Sequence, residues 1–164
     1  MRFNPSQILP YTLFSYSTKP NAKDFQIVKP NSIMFHLQIG GMTHTIAPRK
    51  PSLWEWQHLC VAWDSTTGLV HFWHNGDLLS RFVMQKGYKI SQNGTFLLGH
   101  DRDSWGKKDS FVGEMADVNM WPRVLKPDEI HLVRKNDEVP NPLFTWKALN
   151  YTPFGGIRVE EALH

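Results

Sequence analysis

The sequence predicts an all-β fold, a two-sheet jelly-roll sandwich with one short helix laid on a face. Three observations carry this. Runs of β-branched and aromatic residues recur at strand length. Gly-Gly and Asn-Gly pairs stand between several of them. Turn signals return about every eight to twelve residues, the spacing of sandwiches and jelly rolls. The seven Trp, ten Phe and four Tyr suit half-buried pleated surfaces and exclude a disordered chain.

Tyr11 to Tyr16 forms the first predicted strand, closed by Lys19-Pro20-Asn21. Asp24 to Val28 is the next, ended by Lys29-Pro30-Asn31-Ser32. Ile33 to Ile39 alternates, with Phe35, Leu37 and Ile39 on one face. Gly40-Gly41 then turns it into Met42 to Ile46, because glycine reaches positive φ without a Cβ clash. His58 to Trp63 passes through Ser65-Thr66-Thr67-Gly68 into Leu69 to His74, and Asn75-Gly76 leads on to Leu78 to Val83. Further strands are predicted at Thr95 to Leu98, Ser110 to Val112 and Glu114 to Trp121. A helix is predicted over Leu125 to Asn136. Pro127 and two acids open it and two bases close it, the charge order that a helix dipole prefers. Ile130, Val133 and Arg134 share the face laid on the sandwich.

The net charge of +3 comes from scattered Lys and Arg, without the basic stripe of a nucleic-acid binder. Gly106-Lys107-Lys108, followed by Asp109, reads as a solvated loop. No stretch approaches the roughly 18 apolar residues of a membrane span, and Met1 to Pro5 does not read as a signal peptide. Asn93-Gly94-Thr95 and Asn150-Tyr151-Thr152 are glycosylation triplets, a weak pointer to the secretory path. The single cysteine, Cys60, sits in apolar Leu59-Cys60-Val61, where burial makes a thiol inert.

Catalytic and zinc patterns are not found. His71 and His74 lie three apart in a strand and point to opposite faces. His36 and His44 flank the Gly40-Gly41 turn and could meet across it, but no carboxylate or cysteine completes four zinc ligands. Asp101 and Asp103 alternate in the polar segment His100-Asp101-Arg102-Asp103-Ser104, with Asp109 following. Two acids at this spacing, joined by a third, suit calcium as hard oxygen ligands. The same pattern is that of a solvated acidic turn, and the residues alone leave both readings open. A jelly-roll glycosidase would need one of the two acids raised in pKa, and nothing apolar stands beside them to do so.

His58-Leu59-Cys60-Val61-Ala62-Trp63-Asp64-Ser65 resembles the pentraxin family pattern His-x-Cys-x-Ser/Thr-Trp-x-Ser/Thr, departing at Ala62. Phe14-Ser15-Tyr16, Phe72-Trp73 with Asn75-Gly76, Lys86-Gly87-Tyr88, Leu98-Gly99, Val112-Gly113-Glu114, Met120-Trp121, Pro127-Asp128-Glu129-Ile130 and Trp146 to Tyr151 extend the likeness. It runs in order from Tyr11 to Tyr151. The resemblance implies a single lectin-like domain over residues 1–164, secreted, not an enzyme, and assembled as a homo-oligomeric ring of five.

It also implies up to two calcium ions that capture anionic groups such as phosphocholine or phosphoethanolamine, in solution or on membrane headgroups. The family's calcium loop, Leu-Gly-Gln-Glu-Gln-Asp-Ser, is matched by Leu98-Gly99-His100-Asp101-Arg102-Asp103-Ser104. Asp101 and Asp103 take ligand positions there, and Arg102 a position that gives only its backbone carbonyl. Asp109 falls where a ligand Gln stands, in a loop about five residues shorter than the family's. An earlier ligand pair aligns with Asn21 to Asp24, making Asp24 a further candidate. The family's choline-holding residues fall near Val28 or Lys29 and at Thr43, neither of the needed type. One ion is therefore expected to be retained. The family's signal peptide and opening strands, which carry the disulfide partner of the Cys60 position, are expected to be lacking.

Overall fold

The computed structural model describes residues 1–8, 10–102 and 109–161. Ten strands are formed: β1 (Arg2–Pro5), β2 (Tyr11–Ser17), β3 (Phe25–Asn31), β4 (Met34–Ile39), β5 (Met42–Ile46), β6 (Gln57–Asp64), β7 (Leu69–His74), β8 (Asp77–Val83), β9 (Thr95–Leu98) and β10 (Gly113–Ala116). One helix, α1 (Pro127–Arg134), and a single 3₁₀ turn (Trp146–Ala148) follow. The strands make two antiparallel five-stranded sheets, ordered β10-β1-β6-β7-β8 and β5-β4-β3-β2-β9.

The predicted alternation decides which side chains meet between the sheets. Phe35, Leu37 and Ile39 of β4 are fully buried, as are Val70 and Phe72 of β7. The Phe35 and Phe72 rings lie 5.3 Å apart and join the two sheets across the core. Phe3, Leu13, Phe14, Ile27, Ile46 and Leu59 complete that layer. Both predicted two-residue turns have paired positive φ, 56° and 81° at Gly40-Gly41 and 52° and 91° at Asn75-Gly76. These are the mirror-image turns whose twist matches that of the flanking strands.

The helix packs on the outer face of the first sheet. Ile130 and Val133 join Trp73, Leu125 and Val139, with Cys60 and Trp121 against them. Burial pushes the Cys60 thiol up, so it stays protonated beneath the helix. At the helix start, Glu129 accepts from the Lys126 backbone N–H (2.8 Å) and takes both arms of the Arg123 guanidinium.

Several elements differ from the sequence expectation. Arg2–Pro5 is a strand because it inserts between β6 and β10, Arg2 pairing with both His58 and Ala116. Ser110 to Val112 is not a strand. It is tied irregularly, Phe111 N–H to the Gly99 carbonyl (2.6 Å) and Ser6 N–H to the Val112 carbonyl (2.8 Å). The run from Glu114 to Trp121 stops at Ala116, since Asp117 adopts φ 53°. It resumes only as a bridge between Met120 and Phe144. His36 and His44 do not meet: His36 pairs with Thr45 and His44 with Leu37, so the two rings point to opposite faces. His44 instead stacks on Phe82, with centroids 3.6 Å apart. Among the described residues no helix is long and apolar enough to cross a membrane.

Candidate functional site

The outer face of the second sheet collects the polar residues that the alternation turns away from the core. Ser15 pairs with Gln26, Gln26 with Gln38, and Gln38 with Thr43, so these four form one polar row across β2 to β5. The segment after β9 runs along this face. Gly99 N–H donates to the Leu13 carbonyl (3.1 Å), and Ser15 Oγ donates to the His100 carbonyl (3.3 Å). The row is not internally satisfied. Gln26 Nε2 and Gln38 Oε1 are buried without a hydrogen-bond partner, although their residues are directly paired. A buried donor or acceptor left so costs about 1–3 kcal/mol, so such groups take a water, an ion or another polar partner where one can reach them.

The candidate ligands of the sequence reading are dispersed around this row. Asp101 is half-buried just beyond the His100 carbonyl. The neighbouring Arg102 guanidinium donates to the Thr18 carbonyl (3.0 Å), drawing this segment onto the β2–β3 turn. Asp109 is exposed, and its carbonyl accepts from Thr12 N–H (3.2 Å). Thr12 and Thr18 are six residues apart, about 20 Å along an extended chain. The Asp109 backbone and the Arg102 guanidinium therefore sit at opposite ends of β2. Asp103 lies outside the described residues.

Asp24 is fully buried, and its own fold engages both carboxylate oxygens. Oδ2 accepts from Thr18 Oγ1 (3.1 Å) and from the Ser91 backbone N–H (3.2 Å), and Oδ1 accepts from the Tyr88 hydroxyl. That bond to Asp24 raises the Tyr88 pKa. Asp24 thus pins the β2–β3 turn to the loop at Tyr88 to Ser91. Asp24→Ala is expected to lower stability by about 2–3 kcal/mol in urea unfolding, because one buried and two partly buried donors lose their shared acceptor. An unchanged midpoint would show that the pin is idle.

Calcium takes six to eight oxygen ligands. Among the described residues no three of His, Cys, Asp and Glu come together to hold a metal. Asp24 is committed to internal donors, the Asp109 carbonyl is bonded to Thr12 N–H, and the Arg102 guanidinium is bonded to the Thr18 carbonyl. The described residues do not by themselves fit the ion.

The residues aligned with the choline pocket divide. Thr43 is exposed on the outer row, and Val28 is half-buried on the same face. Lys29 turns inward and donates to the carbonyls of Ser32 (3.0 Å) and Met34 (3.1 Å), with its ammonium 4.3 Å above the Phe35 ring. Burial lowers its pKa to about 8. Sequence reading missed Gln26 and Gln38. Their one signal was a glutamine placed between apolar residues in Phe25-Gln26-Ile27 and again in Leu37-Gln38-Ile39.

Two antiparallel sheets, with a helix against one outer face and a loop-crossed polar row on the other, define a jelly-roll sandwich domain. The chain belongs to the pentaxin family, whose model matches residues 3–160. It is 33% identical to C-reactive protein of Mus musculus over 96% of this chain and 72% of that protein. It is 35% identical to serum amyloid P-component of Cavia porcellus over 86% of this chain and 65% of that one. Its fold matches the crystal structure of a native heptameric SAP-like pentraxin from Limulus polyphemus with a TM-score of 0.76. That match covers 88% of this chain and 73% of the other at 23% sequence identity.

Proposed function

We propose that this chain is a secreted recognition protein of pentraxin type, binding anionic ligand groups on the outer face of the second sheet and catalysing nothing. The observation that carries the reading is the buried, unsatisfied Gln26 Nε2 donor in the polar row beneath the segment that holds Arg102. An oxyanion such as the phosphate of phosphoethanolamine accepts from an amide N–H, and a nearby guanidinium complements its charge. Family membership supports a homo-oligomeric assembly, the Limulus relative being a heptamer.

A second reading, bridging through calcium, is favoured by Asp101, which stands at a ligand position of the family's calcium loop with Asp103 two residues on. A third, in which the domain acts through protein contacts alone, is favoured by the commitment of Asp24 to internal donors.

Retention of the folded chain on phosphoethanolamine-bearing beads, measured with calcium and with chelator, separates the three. The expected result is retention in both conditions, reduced by Gln26→Leu. Loss in chelator, matched by loss in Asp101→Asn, would establish the calcium reading instead. Retention no greater than on underivatised beads in either condition would leave protein contacts alone.

A further inference from the structure

We propose that the opposite, helix-bearing side of the sandwich holds a second site, one that binds carboxylates between Arg134, His58 and Trp56. An open cavity of about 290 Å³ lies there, lined by these residues with Arg2, Glu55 and Asn75 among others. It forms where the outer face of β6, the Asn75-Gly76 turn and the end of α1 converge.

Arg134 is the last helical residue, and its guanidinium lies directly over Gly76. A Cβ at Gly76 would collide with Nη1, so the missing side chain makes the guanidinium's seat. The two arginines of the cavity differ. Arg2 is matched, its Nε lying 3.3 Å from Asp117 Oδ2 and its Nη2 donating to the Arg134 carbonyl (2.7 Å). The Arg134 side chain forms no ion pair or hydrogen bond with another described residue.

His58 supplies the second feature. Its backbone N–H is taken by Asn75 Oδ1 (2.9 Å), but both nitrogens of its ring are buried without a partner. The residue is only 6% exposed and lines the cavity. Burial, with the Met1 ammonium, Arg2 and Arg134 nearby, lowers its pKa to about 3, so the ring is neutral and offers one N–H. An unmatched guanidinium and an orphaned imidazole N–H in one cavity are complementary to a single oxyanion. The planar fork of Arg favours a carboxylate. Half-exposed Trp56 adds an apolar wall for the body of the acid.

Glu55 stands on the same rim and forms no ion pair with Arg134. It is a built-in competitor, and removing its charge is expected to strengthen binding.

The test titrates the full folded chain with sodium hexanoate, read by the Trp56 indole and His58 ring signals in NMR. Hexanamide and sodium chloride at equal concentration serve as controls. The expected result is saturable shifts with hexanoate alone, weakened about tenfold or more by Arg134→Gln and strengthened about twofold by Glu55→Gln. Short peptides with free or amidated C-termini distinguish the source of the carboxylate. If the free-ended peptide binds tighter than hexanoate, the acid is a protein terminus. If the two bind alike, it is a small free acid. Shifts shared by hexanamide or chloride, no saturable shift, or full binding by Arg134→Gln would each overturn the proposal. Trp56→Ala, which leaves both charges in place, guards against a folding defect in the arginine variant: it should weaken hexanoate binding without abolishing it, and unaltered affinity would also count against the site.

Discussion

Between pH 6.5 and about 4 the folded chain is expected to lose stability at up to about 2.7 kcal/mol per pH unit, the slope for two protons. Two buried histidines set this window. Burial lowers the pKa of His58 to about 3 and that of His74 to about 4, cationic neighbours adding to both. His74 Nε2 lies 3.0 Å from Gln57 Oε1 inside the core, and its ring meets Phe35 at 5.2 Å. In the unfolded chain both rings take up a proton near pH 6.5. Over that interval the unfolded state therefore binds more protons than the folded one. The stability is fully present above pH 6.5 and falls as the pH drops toward the folded values. Urea midpoints at pH 7, 6, 5 and 4.5 check it. His74→Gln is expected to remove about half of the slope, and a flat profile from pH 7 to 4.5 in the parent chain would refute the assignment.

Phe72→Ala is expected to cost about 3–5 kcal/mol, at the top of the range for core truncations. Phe72 is fully buried in the layer between the sheets and in ring contact with Phe35 of the opposite one, so its removal opens a cavity that neither sheet can close alone. For a chain of this length that is roughly 6–20 °C in thermal midpoint. Val83→Ala is the matched control. Val83 ends a neighbouring strand but is 64% exposed, and its truncation should stay within about 0.5 kcal/mol. If the two variants melted together, the core layer would not be where the packing places it.

Much of this architecture was legible residue by residue. Alternation placed Phe35, Leu37 and Ile39 in the core, and Gly40-Gly41 and Asn75-Gly76 adopted the turns their φ freedom implies. Arg2–Pro5 was not legible, because four residues ending in Asn-Pro carry no pattern of their own and become a strand only through partners more than fifty residues away. Asp117 likewise interrupts a promising run with one positive φ that its residue type does not demand.

The candidate site was the less legible part, for a physical reason. The chain alone determined the fold class, the periodicity of its strands and the family to which it belongs, since these rest on local patterns that survive in order along the sequence. Only the tertiary structure decided what the acids do. Asp24, a ligand candidate by its alignment, is buried with both carboxylate oxygens engaged, because Thr18, Tyr88 and Ser91 converge on it from two loops. Asp109 and Arg102 are both calcium-loop candidates by alignment; the Asp109 carbonyl is bonded at Thr12 and the Arg102 guanidinium at Thr18. The unsatisfied Gln26–Gln38 pair and the Arg134–His58 cavity arise where separate strands and a helix end are brought together. Proximity in sequence constrains a side chain to a face of its strand; it does not determine which distant donors and charges will share that face.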